Sequence, residues 1–125
     1  MARSFLAAGA LFGLLSVALG AFAAHGLQSS LSADLLNVFH TGVQYQMYHA
    51  LALLFTGLLV QRAPSRSATV AGWLFIIGIV LFSGSLYVLA LTQVTAFGIV
   101  TPLGGLAFLA GWFALFMAAL SVKSQ

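Results

Sequence analysis

Four long apolar stretches follow one another along the chain, and short segments between them carry the few charged side chains. The stretches cover residues 5–24, 41–60, 68–91 and 102–122, and none of them contains a charged residue. About 20 apolar residues in a helix cross the hydrocarbon core of a bilayer. The pattern therefore predicts one all-α domain over residues 1–125, an integral membrane bundle of four transmembrane helices.

Other architectures fit the chain poorly. Lipid gives exposed backbone groups no hydrogen-bond partners, and the continuously apolar runs lack the alternation of barrel strands. Hydrophobic residues make up 62% of the chain and charged residues 4%, whereas a soluble domain carries about 25% charge. This composition excludes a water-soluble globular domain and a disordered chain. Four basic residues without a dense patch do not indicate nucleic-acid binding.

The charged residues predict the orientation of the helices. Arg3 precedes the first helix, Arg62 and Arg66 lie between the second and the third, and Lys123 follows the fourth. With four spans these positions share one side of the membrane, while Asp34, the only acid, lies on the other. The positive-inside rule then places both termini in the cytoplasm.

The first stretch has a second interpretation. A short basic N-terminus, an apolar run and an Ala-Phe-Ala sequence ending at Ala23 together resemble a cleavable secretory signal. We favour a membrane span, because the run is longer than the 7–15 apolar residues usual in a signal. A mature N-terminus at Ala24 would contradict four spans.

The ends of the helices carry recognisable signals. Residues 27–37 contain leucines at helical spacing and predict a surface-lying segment at the outer interface, capped by Ser30 or Ser32. Thr101 is predicted to cap the fourth helix, with Pro102 at its first position. The Ala-Pro-Ser sequence at residues 63–65 separates the second and third helices.

Small residues recur at helical spacing on three spans. Such stripes let helices approach closely in lipid, either within one chain or between two copies. We favour packing within the chain, and the predicted packing residues are Gly9, Gly13, Ser16, Gly20, Gly78, Gly104, Gly105 and Gly111.

Polar side chains concentrate in the predicted outer half of the bundle. Tyr45 lies about 6 Å below the outer boundary and His49 about 12 Å below it, near the midplane. We expect these groups to point into the bundle, where they either hydrogen-bond between helices or line a pocket for a small molecule, an ion or a lipid headgroup. The candidate pocket comprises His25, His40, Thr41, Tyr45, His49, Ser83, Ser85, Tyr87 and Thr101.

These residues do not form a recognisable catalytic or cofactor motif. No span contains a carboxylate, and no Ser–His–Asp relay is evident, so we expect a protein that is not an enzyme. His40 and His49 are nine positions apart, on opposite helix faces, which disfavours haem. His25, His40 and Asp34 lack a diagnostic metal-ligand spacing. We therefore expect neither a metal nor another cofactor.

Four ordered blocks of sequence nevertheless resemble a known family. They are residues 20–27, the Thr41-x3-Tyr45-x3-His49 pattern with the apolar run to residue 54, residues 82–87, and residues 101–105 with Gly111-Trp112. The chain resembles the YgdD-like small membrane proteins, the domain-of-unknown-function family number 423. Ala23 departs from the pattern, because the family often has glycine there. The resemblance implies a four-helix bacterial inner-membrane protein and no established activity.

Together these features predict a small multi-pass membrane protein that serves as an accessory or structural component of a membrane complex. Its expected partners are the lipid bilayer and other membrane proteins or a second copy of itself. The alternative function is binding or transport of a small molecule, ion or lipid through the outer polar pocket.

Overall fold

A computed structural model describes residues 1–123, and all regular secondary structure within this range is helical. The four long helices are α1 (Ala2–Phe22, continued by a π-helical turn Ala23–Leu27), α2 (Ala33–Arg62), α3 (Arg66–Thr92) and α4 (Thr101–Leu120). Within α3, the segment Ile79–Ser83 forms a π-helical turn, and a 3-10 turn, Thr95–Ile99, leads into α4.

Each of the four helices is long and apolar enough to cross a membrane. The predicted fold class is thereby confirmed as an all-α protein with four candidate spans. The helices extend beyond several of the predicted boundaries, because polar residues at the ends continue the helical hydrogen bonding outside the apolar runs. The 30 residues of α2, for example, extend for about 45 Å, well beyond the hydrocarbon thickness of about 30 Å.

The predicted surface-lying segment over residues 27–37 does not form a separate element. Its first residue ends α1, residues 28–32 make the turn, and the remainder is the first turn of α2. Ser32 caps α2, since its Oγ accepts a hydrogen bond from the Leu35 backbone N–H at 3.2 Å. One continuous helix satisfies more backbone groups than a break at the interface would, so the segment continues directly into the span.

The other predicted helix starts have different outcomes. The break at residues 63–65 is confirmed, and the Ser65 hydroxyl caps α3 by accepting from the Ala68 N–H at 3.1 Å. The predicted cap by Thr101 is wrong, since α4 has no side-chain cap and begins with Thr101 and Pro102. The Thr101 hydroxyl instead bonds Ser85 on α3 at 2.6 Å, because a partner between helices removes two polar groups from lipid at once.

Helices α2 and α3 form the centre of the molecule. Helix α1 packs mainly along α2, and α4 packs mainly along α3. One core cluster, towards the end with the basic residues, is built around Phe5, Leu53, Phe75 and Phe108. A second cluster at the opposite end joins the fully buried Ala23 to Phe39 and Ala90. The methyl group of Ala23 therefore packs inside the protein.

Glycines make room for phenylalanine rings between the helices. A Cβ atom on Gly72 would lie 2.3 Å from the Phe5 ring, and one on Gly78 would lie 2.3 Å from the Phe108 ring. A Cβ atom on Gly111 would likewise lie 2.9 Å from the nearest atoms of the Phe75 ring. The rings enter the gaps left by the missing side chains, which gives the close helix contact that lipid-embedded packing requires.

The predicted packing residues differ in how closely they approach neighbouring helices. Gly9 contacts Leu54 and the Ala50 carbonyl, Ser16 is buried, and Gly20 makes an ordinary contact with Val43. The glycines of α3 and α4 at positions 78, 104 and 111 also face neighbouring helices of the same chain.

Two predicted packing positions contribute little. A Cβ atom on Gly13 would meet nothing within 4 Å, and one on Gly105 would meet only the Phe82 ring at 3.9 Å. Gly13 lies about 40° around the helix axis from Gly9, and Gly105 about 100° from Gly104, so these two positions face away from the close contacts of their neighbours.

Candidate functional site

The structure separates the nine residues of the predicted outer pocket into several groups. Tyr45 and His49 face a groove between α2 and α4, Tyr87 and Ser83 face α2 from α3, and Ser85 pairs with Thr101. The two remaining histidines and Thr41 lie outside these groups. One shared pocket is therefore not formed, because neighbouring positions on a helix point in different directions around its axis.

Both ring nitrogens of His49 are hydrogen-bonded. Nδ1 lies 2.7 Å from the Tyr45 backbone carbonyl oxygen, and Nε2 lies 3.0 Å from Nε1 of Trp112 on α4. A carbonyl only accepts and an indole N–H only donates, so Nδ1 carries the proton and Nε2 accepts. In this arrangement the imidazole is a neutral ring with its proton on Nδ1.

The same imidazole lies parallel to the ring of Phe108 on α4. The two ring centroids are 3.5 Å apart and the planes differ by 8°. Trp112 meets the imidazole edge-on, at 5.8 Å between centroids. His49 thus joins α2 to α4 through stacking as well as through its hydrogen bond.

A groove of about 470 Å³ lies beside this histidine. Tyr45 and Tyr48 contribute side chains that are 38% and 52% exposed, and the remaining lining is His49, Phe82, Gly105, Phe108, Leu109 and Trp112. The wall is mostly aromatic. In a membrane this face of the molecule is directed towards lipid, with two phenol groups at its edge.

A second polar group joins α1, α2 and α3. The Gln46 amide Nε2 donates to the Phe12 carbonyl oxygen on α1 at 2.9 Å, and its Oε1 accepts from the Tyr87 hydroxyl on α3 at 2.6 Å. The Ser16 hydroxyl donates to the same Phe12 oxygen at 2.8 Å. One buried amide therefore connects three helices, and each of its two ends is satisfied.

Ser83 and Ser85 of α3 form hydrogen bonds with α2 and α4, respectively. Ser83 ends the π-helical turn and donates to the Gly42 carbonyl oxygen on α2 at 2.7 Å. Ser85 donates to its own helix at the Phe82 carbonyl, 2.9 Å away, and its oxygen lies 2.6 Å from the Thr101 hydroxyl on α4. Within residues 1–123, no buried side-chain nitrogen or oxygen lacks a hydrogen-bond partner.

Three predicted pocket residues lie away from these contacts. His25 and His40 are exposed near the end of the bundle that carries Asp34, and Thr41 donates to the Asn37 carbonyl of its own helix at 3.0 Å. In the described part of the chain, no three His, Cys, Asp or Glu side chains come together closely enough to hold a metal ion.

Two residues that complete the polar groups, Gln46 and Trp112, were not among the predicted site residues. A row of small residues could have indicated the position of Gln46. Gly42, Ala50 and Gly57 mark the buried face of α2, and Gln46 lies on that face. The exposed Gln44 lies on another face, although its position in the sequence suggests the same role. Trp112 carried no signal of a polar contact, since an apolar span accepts tryptophan at any position. The sequence singled it out only within the Gly111-Trp112 block of the family resemblance.

The chain has four long apolar helices, and within residues 1–123 every buried polar side-chain atom has a hydrogen-bond partner. These two properties define a small multi-pass α-helical membrane protein. Residues 19–105 match the family model described as Protein of unknown function (DUF423). The chain belongs to this family, which confirms the resemblance found in the sequence.

Curated bacterial relatives cover nearly the whole chain. UPF0382 membrane protein YwdK of Bacillus subtilis (strain 168) is 50% identical over 118 residues, which are 94% of this chain and 96% of the relative. UPF0382 membrane protein SH2409 of Staphylococcus haemolyticus is 47% identical over 93% of this chain and 94% of its own length. UPF0382 membrane protein SSP2132 of Staphylococcus saprophyticus is 45% identical over 96% of this chain and 99% of its own. No solved structure matches the chain.

Proposed function

We propose that this protein is a non-enzymatic accessory component of a complex in the bacterial inner membrane, with both termini in the cytoplasm. It holds a rigid four-helix unit in the bilayer and offers its lipid-facing helices to another membrane protein. The relatives support the membrane location, since their names describe membrane proteins of bacteria.

The hydrogen bonding of the polar side chains carries this proposal. An enzyme needs a nucleophile or an acid–base group that is free to reach a substrate. In this protein the central candidates are already engaged: both nitrogens of His49, both ends of the Gln46 amide, and the hydroxyls of Ser83 and Ser85. Those of the bonds that join two helices, from His49 Nε2, Gln46 and Ser83, stabilise a bundle by about 0.6–2 kcal/mol each, which is the contribution expected of a structural unit.

The cytoplasmic position of the termini is testable with single thiols, because the natural sequence has no cysteine. Ser30→Cys lies in the turn between α1 and α2, and Ser4→Cys lies near the N-terminus. Since the four basic residues favour the cytoplasmic side, we expect a membrane-impermeant maleimide to label Ser30→Cys in intact spheroplasts. Ser4→Cys should react only after lysis. Labelling of Ser4→Cys alone in intact spheroplasts would reverse the proposed orientation.

The accessory role is testable by photo-crosslinking in cells followed by purification in a mild detergent. Val17 on α1 and Leu109 on α4 are suitable probe positions, because they are 65% and 68% exposed on different helices. We expect a reproducible crosslink to another membrane protein from at least one of them. A probe at Ser30, outside the apolar face, serves as the matched control and should not give that product.

Two outcomes separate the possible partners. Crosslinks between copies carrying different tags would identify a second copy of this chain as the partner. Recovery of only the uncrosslinked monomer from both probe positions, together with a monomeric mass after purification, would contradict the accessory role.

A further inference from the structure

A pocket lined by two cationic side chains lies at the end of the molecule that carries the basic residues. It forms where α2 ends and where the chain continues beyond α4, and its volume is about 390 Å³. Arg62 and Lys123 contribute the charges and Ser121 contributes a hydroxyl, beside Ala63, Pro64 and Val122. Two positive charges thus face one space with room for a phosphate group.

No acidic side chain lies near these cations. Asp34 is the only Asp or Glu in the chain, and it stands 28 positions before Arg62, at the opposite end of α2. That separation is about 42 Å along the helix, several times the physiological screening length of about 8 Å. No carboxylate side chain therefore neutralises the positive charge of the pocket. The pocket is complementary to an anion that binds from outside the protein.

A second, separate cavity lies beside α4 at the same end of the molecule. Its volume is about 290 Å³, and it lies between α3 and α4. Arg66 and Ser67 lie at its polar end, while Val70, Phe113 and Met117 form its apolar part. Val70 is one helical turn, about 6 Å, further along α3 than Arg66. This polar-to-apolar arrangement is complementary to a phospholipid, whose anionic phosphate lies at the membrane surface and whose acyl chains lie below it.

We propose that this end of the protein binds an anionic phospholipid. Arg62 and Lys123 contact the phosphate in the pocket, and the cavity that begins at Arg66 accommodates part of an acyl chain. Basic pockets between transmembrane helices recognise anionic headgroups through the same charge complementarity. The site requires only that these helix ends lie at a membrane surface, so it goes beyond the accessory role and is independent of the orientation of the chain.

The test uses the full chain in a neutral detergent, with lipid binding followed by native mass spectrometry. The probes are phosphatidylglycerol and phosphatidylcholine with identical acyl chains, which differ in net headgroup charge. We expect selective binding of phosphatidylglycerol. The double substitution Arg62→Gln and Lys123→Gln should weaken its affinity about 30-fold, the combined effect of two cationic side chains near an anionic lipid. The affinity for phosphatidylcholine should be unchanged.

Arg3→Gln is the matched control, since it removes a cation near the same end that lines neither cavity. It should leave phosphatidylglycerol binding unchanged. Arg3, Arg62 and Lys123 are exposed, so the variants should keep the unfolding midpoint of the natural protein, and that measurement accompanies each titration.

Three results would overturn the proposal: equal affinity for the two lipids, an equal loss in Arg3→Gln, or full retention of selectivity in the double variant. Displacement of phosphatidylglycerol by millimolar inorganic phosphate would assign the pocket to the free anion, and it would also overturn the proposal that the pocket binds a lipid.

Discussion

Replacement of Gly104 by alanine is expected to lower the free energy of unfolding by about 2–3 kcal/mol, the cost of overpacking a tight interior contact. A Cβ atom at this position would lie 2.3 Å from the backbone nitrogen of Phe82 and 2.7 Å from its Cα. Backbone atoms cannot rotate away as a flexible side chain does. The added methyl group must therefore push α4 away from α3.

The π-helical turn of α3 links this contact to the contact between α2 and α3. Gly84 N–H donates to the Ile79 carbonyl across the wide turn, and the next residue after Phe82, Ser83, is held to the Gly42 carbonyl of α2 at 2.7 Å. Moving Phe82 to accommodate a methyl group would also strain this bond. The turn thus couples the α3–α4 contact to the α2–α3 contact.

Unfolding by sodium dodecyl sulfate in mixed micelles measures the change in stability. Gly105→Ala is the matched control, because a Cβ atom there would come no closer than 3.9 Å to another side chain. We expect that variant to differ from the natural protein by less than about 0.5 kcal/mol. Equal midpoints for the two variants would show that α3 and α4 are not in close contact at Gly104.

Gln46→Leu is expected to destabilise the protein by about 1–3 kcal/mol, the range for removing one partner of buried hydrogen bonds. The substitution removes the bond to the Phe12 carbonyl on α1 and leaves the Tyr87 hydroxyl without its acceptor. Leucine has a similar size and is more apolar, so the loss reports hydrogen bonding rather than a missing volume.

Gln44→Leu controls for the change from amide to leucine on the same helix, since Gln44 is exposed. It should leave the unfolding midpoint unchanged in the same micelles, or raise it slightly. Tyr87→Phe should recover part of the loss when combined with Gln46→Leu, because it removes the hydroxyl that the first substitution leaves unpaired. A double variant with strictly additive losses would contradict the bond between these side chains.

Most of the fold was predictable, because a membrane span needs a long apolar stretch and the sequence contains four of them. The ends were less predictable. Residues 33–37 are polar enough to suggest an interfacial segment, yet they extend α2, since its helical hydrogen bonds continue into water at little cost. Thr101 carries the signal of a cap, and only the proximity of Ser85 redirects its hydroxyl.

The candidate site was predictable by residue type and only partly by position. His49 and Tyr87 are polar residues within apolar runs, and their burial cost alone requires partners. Which partner each one finds depends on the rotation of α2 about its axis. That rotation brings Gln46 to α1 and α3, leaves Gln44 exposed, and directs His49 to Trp112.

The amino-acid sequence by itself determined that this protein resides in a membrane, that it does so as four helices, and that its basic residues gather on one side. These properties follow from transfer energies that act on each segment separately. Tertiary structure decided which glycines receive a ring, which polar groups bond, and that Arg62 and Lys123 share one pocket. Such contacts depend on how the helices face one another, and a one-dimensional pattern of hydrophobicity does not specify that arrangement.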